Sequence, residues 1–396
     1  MTRTYPHQRP NPFDPPPELA EVRTEEPLSR LAYPDGHLGW MVTTHALAKA
    51  VLADPRFSSD LEVRRSVVRR PKVEDIRAGE PARPGFFIGM DPPEHTRYRK
   101  LLTGQFTVRR MNQLVPRIEQ IVAEHLDTMA QAGPPAELVQ DFALPIPSLV
   151  ICELLGVPYA DRDEFQRNSA IVLSLDATDE EASASARSLL TYLGELVRHK
   201  QAEPADDLLS GLIAGGVLTG DELATIAFLL LIAGHETTAN MLALGTFALL
   251  RRPEQAAALR AGTVPIEGVV EELLRYLTII HQGLVRTAVE DVELDGRLIR
   301  AGESVAVALP AANRDPARFA DPDTLDLGRG DAGGHLAFGH GLHQCLGQQL
   351  ARIEMRVGYA ELFRRFPGLR LAVEPEQVPL RTDMGIYGVH RLPVSW

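Results

Sequence analysis

Apolar and polar positions divide this chain into a short strand-bearing start, a long helical middle and a mixed end. Residues 1–30 are polar and proline-rich and read as an extended arm. Leu31–Thr43 places apolar runs on either side of Pro34-Asp35-Gly36-His37, the pattern of a hairpin. Thr44 is placed to cap a helix reaching about Asp54. From Val108 to Glu203 the apolar spacing is helical, interrupted at Gly133-Pro134-Pro135 and Gly156-Val157-Pro158. Within it, Asp161–Leu175 and Asp179–Lys200 read as two amphipathic helices joined by Asp176-Ala177-Thr178. The longest helix is expected from Gly220 to Arg252, opened by the capping box Thr219–Glu222 and closed by Pro253. At 1.5 Å per residue it spans roughly 48 Å. Its stretch Leu223–Ala233 is apolar on nearly all sides, which predicts burial. Ile266–Tyr276 is a further helix. Strand signals start at Leu284 and continue through Val292–Leu294, the turn Asp295-Gly296, Leu298–Arg300 and Val305–Leu309. A helix to Arg365 and a strand at Leu369–Val373 follow, so the fold class is mainly α with small β-sheets.

Four places break this pattern at a cost. Gly234-His235-Glu236-Thr237-Thr238 interrupts the buried run of the longest helix. A glycine there costs about 1 kcal/mol against alanine, and a buried carboxylate costs several more unless paired. Ala233-Gly234 would let a ligand lie close to the helix, and Glu236 with Thr237 could pass protons to it. Phe338-Gly-His-Gly-Leu-His343-Gln-Cys345-Leu-Gly347 gathers three glycines, two histidines and a cysteine. Gly339 and its neighbours let the backbone approach a flat partner, and free N–H groups at a helix start favour a thiolate. An inert buried cysteine is the bland alternative for Cys345. His95 and Arg99 share one helix face, a donor and a cation suited to a doubly charged anion. Glu272 and Arg275 lie at i, i+3 in apolar surroundings, tolerable only as a bonded pair. Phe86-Phe87-Ile88, apolar just before His95, are expected to line something, while Arg64, Arg65, Arg69, Arg70 and Lys72 read as a solvated basic segment.

The decamer Phe338–Gly347 resembles the haem-binding loop of the cytochrome P-450 superfamily at every defining position. The resemblance extends to the oxygen-activating signature Ala233-Gly234-His-Glu236-Thr237, to Glu272-x-x-Arg275 and to His95-Thr-Arg-Tyr-Arg99, all in the expected order. It implies a P-450 fold with haem b (protoporphyrin IX iron) between the long central helix and the cysteine loop. By the same resemblance Cys345 is the iron ligand, Phe338 packs on the thiolate side, and His95, Arg99, Arg286 and His343 bind the haem propionates. Thr237 and Glu236 are the catalytic pair, and Arg329 joins Glu272 and Arg275 in a structural triad. The pair of helices at 161–200 becomes a lid, and Asn313-Arg-Asp-Pro316 a family turn. Leu229, Phe86, Phe87, Ile88, Leu284 and Ile386 are expected in the substrate pocket, with Tyr387 also over the site.

The activity implied is a monooxygenase that hydroxylates or epoxidises a lipophilic small molecule with O2; polyketide, macrolide, statin-like and xenobiotic molecules are the candidate substrates. No flavin or iron–sulfur motif is present in the chain, so a separate ferredoxin or flavodoxin with its reductase is expected, docking on Arg97, Lys100, Arg109, Arg110, Arg352 and Arg356. A cysteine hydrolase using Cys345 and His343 lacks an orienting group, a haem sensor needs no Glu236-Thr237 pair, and a peroxide-driven or isomerising enzyme could dispense with it.

Composition narrows the partners. The net charge of −12 argues against nucleic acid. Two cysteines, Cys152 and Cys345, make no disulfide framework, and Cys152 reads as core. No signal-peptide core and no run of 18 apolar residues occurs, so a cytoplasmic monomer without a membrane anchor is expected, with residues 31–396 as one catalytic domain.

Overall fold

Gly220–Leu250 forms one helix of 31 residues through the centre of the molecule. Thr219 and Glu222 close the expected capping box, each side chain bonding the other's backbone N–H. In this computed structural model, which describes residues 3–73 and 76–396, that helix is buried along most of its length. Among the described residues it is the one helix long and apolar enough to cross a membrane, and it is mostly enclosed by protein. Helices Pro145–Leu155, Asp179–Ala202, Ile266–Leu277 and Gln348–Arg365 pack around it. Cys152 lies in that packing, as its apolar run predicts.

A five-stranded sheet flanks the helices in the order Leu28–Ala32, Leu38–Val42, Ser304–Val307, Leu284–Ala288, Phe57–Ser58. Leu38–Val42 and Ser304–Val307 run parallel, Trp40 beside Val305, so the end of the chain is tied to its beginning. The expected hairpin Val292–Leu294 to Arg297–Ile299 turns on Asp295 and Gly296, both at positive φ (50° and 69°) as a tight turn demands. Thr44 caps the helix His45–Ala53 by accepting from the Leu47 N–H.

Three expectations need correction. The first thirty residues are not simply extended: Glu18–Glu25 is a helix, and Tyr5, Phe13, Leu19 and Val22 are buried. Proline frequency hid an arm whose scattered apolar residues each find a pocket, and Arg314 Nη2 bonds the Phe13 carbonyl at 3.3 Å. The strand starting at Val305 stops at Val307, because Pro310 has no N–H to donate and begins the short helix Leu309–Ala312. Tyr387 does not lie over the site. Its ring is fully buried, its hydroxyl donates to Pro12 O at 2.9 Å, and Arg9 stacks on it 3.9 Å from the ring centre.

Candidate active site

Along the buried central helix, Ala233 is exposed and Gly234 and Thr237 are half-buried. In a helix enclosed elsewhere, that stripe is a face turned to open interior space. Thr237 Oγ1 donates to Ala233 O at 2.8 Å, so its own oxygen remains free to accept. Gly234 has a second duty: a Cβ there would sit 2.9 Å from Ile151 Cδ1. The glycine admits a neighbouring helix, where sequence reading assigns it to ligand approach.

Glu236 is one residue from Thr237, hence about 100° round the helix. It is buried, and its Oε2 accepts from Arg381 Nη2 at 2.9 Å and Asn240 Nδ2 at 3.3 Å. The cost of a buried carboxylate is thus met by a cation 145 residues away in sequence. Arg381 escapes sequence reasoning; the only signal is that Glu236 must have some partner.

Two glycines shape the cysteine loop, Gly339 and Gly341, at φ 70° and 74°. A side chain on Gly341 would overlap the Leu52 carbonyl, so no other residue fits. Cys345 N–H donates to Phe338 O at 2.9 Å and closes the loop. The Cys345 side chain is exposed although protein surrounds it, so it too faces interior space. Burial pushes its thiol up; the Gly347 and Gln348 N–H groups and the charges of Arg99 and Arg352 oppose that. The helix start therefore favours the thiolate as expected, but burial is the larger effect. Phe338 is covered by Arg352, whose guanidinium carbon lies 4.5 Å from the ring centre. Arg352 is itself held by Glu271 at 2.6 Å.

Next to this loop the structure gathers the expected anion-binding residues and adds one. The His95 and His343 rings lie 4.2 Å apart, and Arg99 Nη2 donates to Gln344 O at 2.7 Å. Arg286 and Arg64 face the same place, close enough that each shifts the titration of His343. His343 is pushed down to about 2, by burial first and then by Arg286, His95, Arg64 and Arg99. Burial, with Arg64, brings Arg286 down to about 10. Both ring nitrogens of His95 and Nδ1 of His343 are buried without a partner among the described residues. Such crowding of donors is costly without an anion. The set fits the two carboxylates on one edge of a haem.

Arg64 and Arg70 correct the expectation of a solvated basic segment. Arg64 is enclosed among the cations just named, and burial brings it down to about 10. Arg70 Nη2 bonds the Gln282 side chain, and the guanidinium reaches Gly385 beside Ile386. Burial lowers its pKa as well. Arg65, by contrast, faces Asp35 at the surface. Charge alone in the sequence could not distinguish inward from outward.

Of the expected pocket residues, Leu229 is buried, and Leu284 and Ile386 are half-buried. Leu284 lies against Gly339 of the cysteine loop. Phe86 and Phe87 are buried in the main core, Phe87 6.3 Å from the His95 ring, while Ile88 is exposed.

The structural residues do come together. Arg275 is fully buried and bidentate to Glu272, at 2.7 and 2.8 Å, and donates to the carbonyls of Asn313, Pro322 and Thr324. Arg329 Nε adds a contact to Glu272 at 3.2 Å. Asn313 Oδ1 accepts from Leu336 N at 2.7 Å, two residues before Phe338. The triad therefore holds the lead-in to the cysteine loop.

One buried carboxyl was not anticipated. Glu354, on the helix after Cys345, bonds Thr238 and has Oε2 unpartnered, and burial pushes it up to about 8 from 4.5. Between those values the folded chain holds a proton that the unfolded chain has lost, so stability falls as pH rises from 4.5 to 8. Glu354→Gln should therefore raise stability, and with it Tm, little at pH 5 and clearly at pH 8, where the gain is a few kcal/mol, on the order of 1.4 kcal/mol per pH unit. Melting curves of both proteins at the two pH values check this; a gain independent of pH would mean the folded carboxyl is ionised.

Comparison with known proteins agrees with this geometry. The family model for cytochrome P450 matches residues 266–393. Cytochrome P450 105C1 of a Streptomyces species is 50% identical over 395 residues, covering 99% of this chain and 98% of that one. Pentalenic acid synthase of Streptomyces avermitilis is 48% identical over 99% of this chain and 97% of its own. The crystal structure of CYP105P1 in complex with filipin I superposes with a TM-score of 0.92 at 43% identity, covering 100% of this chain and 99% of that one. The family binds haem, and its members here act on small molecules. A cavity face on the central helix, a cysteine loop beside unmatched cations and near-complete alignment with these relatives lead to one conclusion: the chain belongs to the cytochrome P450 family and is a monooxygenase.

Proposed function

We propose that this chain holds haem b through Cys345 and inserts one atom of O2 into a lipophilic small molecule, with electrons from a separate ferredoxin or flavodoxin and its reductase. The observation that carries the haem assignment is the cluster His95, Arg99, Arg286, His343 and Arg64, enclosed cations and orphaned ring nitrogens that among the described residues have Asp91 and Asp60 nearby but no carboxylate in ion-pair contact. When bound, the haem supplies the activation of O2, with the thiolate donating electron density that favours O–O cleavage. The Gly347 and Gln348 N–H groups and the charges of Arg99 and Arg352 act against burial and would favour the thiolate that holds the iron. Phe338, backed by Arg352, excludes water from the sulfur side. Thr237 presents an acceptor oxygen on the cavity face, and Glu236 exchanges protons behind it.

Thr237→Ala should leave haem content unchanged while product formed per electron pair falls about tenfold and hydrogen peroxide rises to match. Titrating peroxide against product checks it; unchanged coupling would remove the hydroxyl from the proton path. The carrier would meet a smaller basic face than the sequence implies. Arg97, Arg352 and Arg356 are engaged by Glu222, Glu271 and Glu267, which leaves Lys100 and Arg109 exposed beside apolar Val108 and Leu342.

For the substrate, Arg70 favours a molecule with an apolar body and a polar or carboxylate end. Its side chain is surrounded by protein yet exposed to the space beside Ile386 and the end of the first lid helix, and among the described residues its side chain bonds the neutral Gln282. A charge so placed gains from an anionic ligand. A lipophilic acid should bind roughly tenfold more tightly than its methyl ester at low salt, and Arg70→Gln should erase the difference. The spin-state change on binding reads both affinities; equal binding of acid and ester to the unmodified protein would point to a neutral substrate such as a macrolide.

A further inference from the structure

The N-terminal arm lies against two segments that carry pocket residues. Along it Thr4, His7, Gln8 and Pro10 are exposed, so Tyr5 and Arg9 are the side chains that reach inward. Tyr5 is 3% exposed, and its hydroxyl donates to His281 O at 3.2 Å. The next residue, Gln282, bonds Arg70 through its side chain, and Gly283, at φ 70°, turns the chain into Leu284. A Cβ on Gly283 would collide with Val307 O and come within 3.2 Å of the Tyr5 hydroxyl. The turn therefore has no room to move toward either.

The second segment is the C-terminal loop around Ile386. On one side of Ile386, Met384 O accepts from His281 Nε2 at 3.0 Å. Burial, and then Arg9, push His281 down to about 4, so its ring is neutral and keeps that donor. On the other side, Tyr387 N–H donates to Ile279 O at 3.0 Å, and the arm meets the Tyr387 side chain directly. Pro12 O accepts from its hydroxyl, and Arg9 covers its ring. Arg9 Nη1 reaches Asp14 O at 3.5 Å, but Nε and Nη2 are buried with no hydrogen-bond partner among the described residues. The ring face of Tyr387 is what meets the cation. Both ends of the arm are anchored: Arg3 O accepts from Ala32 N at 2.7 Å, and Phe13 packs edge-on against Phe247 of the central helix, ring centres 4.9 Å apart.

We propose that Tyr5 and Arg9 are positioning residues for the substrate pocket: the arm is a strap that holds Leu284 and Ile386, and through Gln282 the Arg70 side chain, where they select the substrate. This rests on the reading of Leu284, Ile386 and Arg70 as pocket residues made above. The segments from Leu277 to Leu284 and from Arg381 to Gly388 are irregular, so what backs them sets where their side chains stand. A strap of this kind acts on which molecule fits and how tightly, and leaves the cysteine loop untouched.

Hydrogen exchange on the full-length holoenzyme tests the strap without any ligand. In Arg9→Leu the amides of residues 278–284 and 381–388 should exchange about tenfold faster, with Phe338–Gly347 unchanged. Arg9→Lys keeps a cation for the Tyr387 ring and should restore most of the protection. Tyr5→Phe removes a single hydroxyl and should loosen residues 278–284 first. Unchanged exchange in Arg9→Leu, equal loosening in the leucine and lysine variants, or loosening that extends to the cysteine loop would each overturn the proposal. Binding adds a second arm, with dodecanoic acid as the probe and the spin-state change as the signal. Arg9→Leu should bind the acid about tenfold more weakly, while imidazole, which needs only the iron, should bind every variant alike. Equal weakening for both ligands would put the defect at the haem and sink the strap. If the acid leaves the spin state of the unmodified protein unchanged, the pocket reading itself fails, and the exchange result still decides the strap.

Discussion

Cys345→Ser should yield a folded protein without the strongly red-shifted band of the reduced carbon-monoxide complex, and turnover should drop by on the order of a thousandfold or more. The loop itself should survive, because its shape depends on Gly339, Gly341 and the Cys345 N–H bond to Phe338 O, none of which uses the sulfur. Serine is nearly isosteric but a far poorer ligand and a weaker electron donor. Cys152→Ser is the control: that thiol is buried in helix packing, and burial pushes it up to about 12, so the band should persist. Survival of the band in the Cys345 variant would mean that another residue ligates the iron.

Arg275→Leu should abolish stable haem incorporation without touching the haem site. The guanidinium satisfies Glu272 and three backbone carbonyls at zero exposure. Its loss leaves a buried carboxylate with only Arg329 and the Asp326 N–H, a change that costs about 3–5 kcal/mol, and each orphaned carbonyl adds about 1 kcal/mol or more. Against a typical stability of about 5–15 kcal/mol this is close to unfolding. Asn313, whose carbonyl Arg275 holds, anchors Leu336 just before the cysteine loop, so loop order should fail first. Replacing Glu272 by leucine as well should recover part of the loss, because the carboxylate is no longer stranded and Arg329 keeps its bonds to the Ala320, Asp321 and Thr324 carbonyls. Haem per chain and the denaturant midpoint measure both variants. Normal haem content in the single variant would show the loop to be ordered by other contacts.

The motif residues were legible because their costs are local. A glycine in a buried helix, a carboxylate in an apolar run and a cysteine among glycines each violate the pattern around them. Secondary structure was legible where caps and turns are coded nearby: Thr219 with Glu222, Thr44, and Asp295-Gly296 all sit as their neighbours predict. The N-terminal arm was misread because its helix is short and polar and its buried residues, Tyr5 and Phe13 among them, are held by distant partners. Ile88 is exposed while Phe87 is buried beside it, a distinction that adjacent apolar residues do not announce.

By itself, the sequence determined the fold class and the family, and it singled out the residues proposed for haem and oxygen, since these rest on residue type and spacing along single elements. Tertiary structure alone decided which cations turn inward. Arg64 joins the His343 cluster and Arg70 the cavity beside Ile386, whereas Arg65, one position from Arg64, pairs with Asp35 outside. It also decided that Arg381 neutralises Glu236, and that Arg97, Arg352 and Arg356 are engaged by carboxylates. The physical reason is the same throughout. A charge is acceptable to its own segment in any direction, because water or a partner can satisfy it, and the choice is made only when distant segments close around it and remove the water.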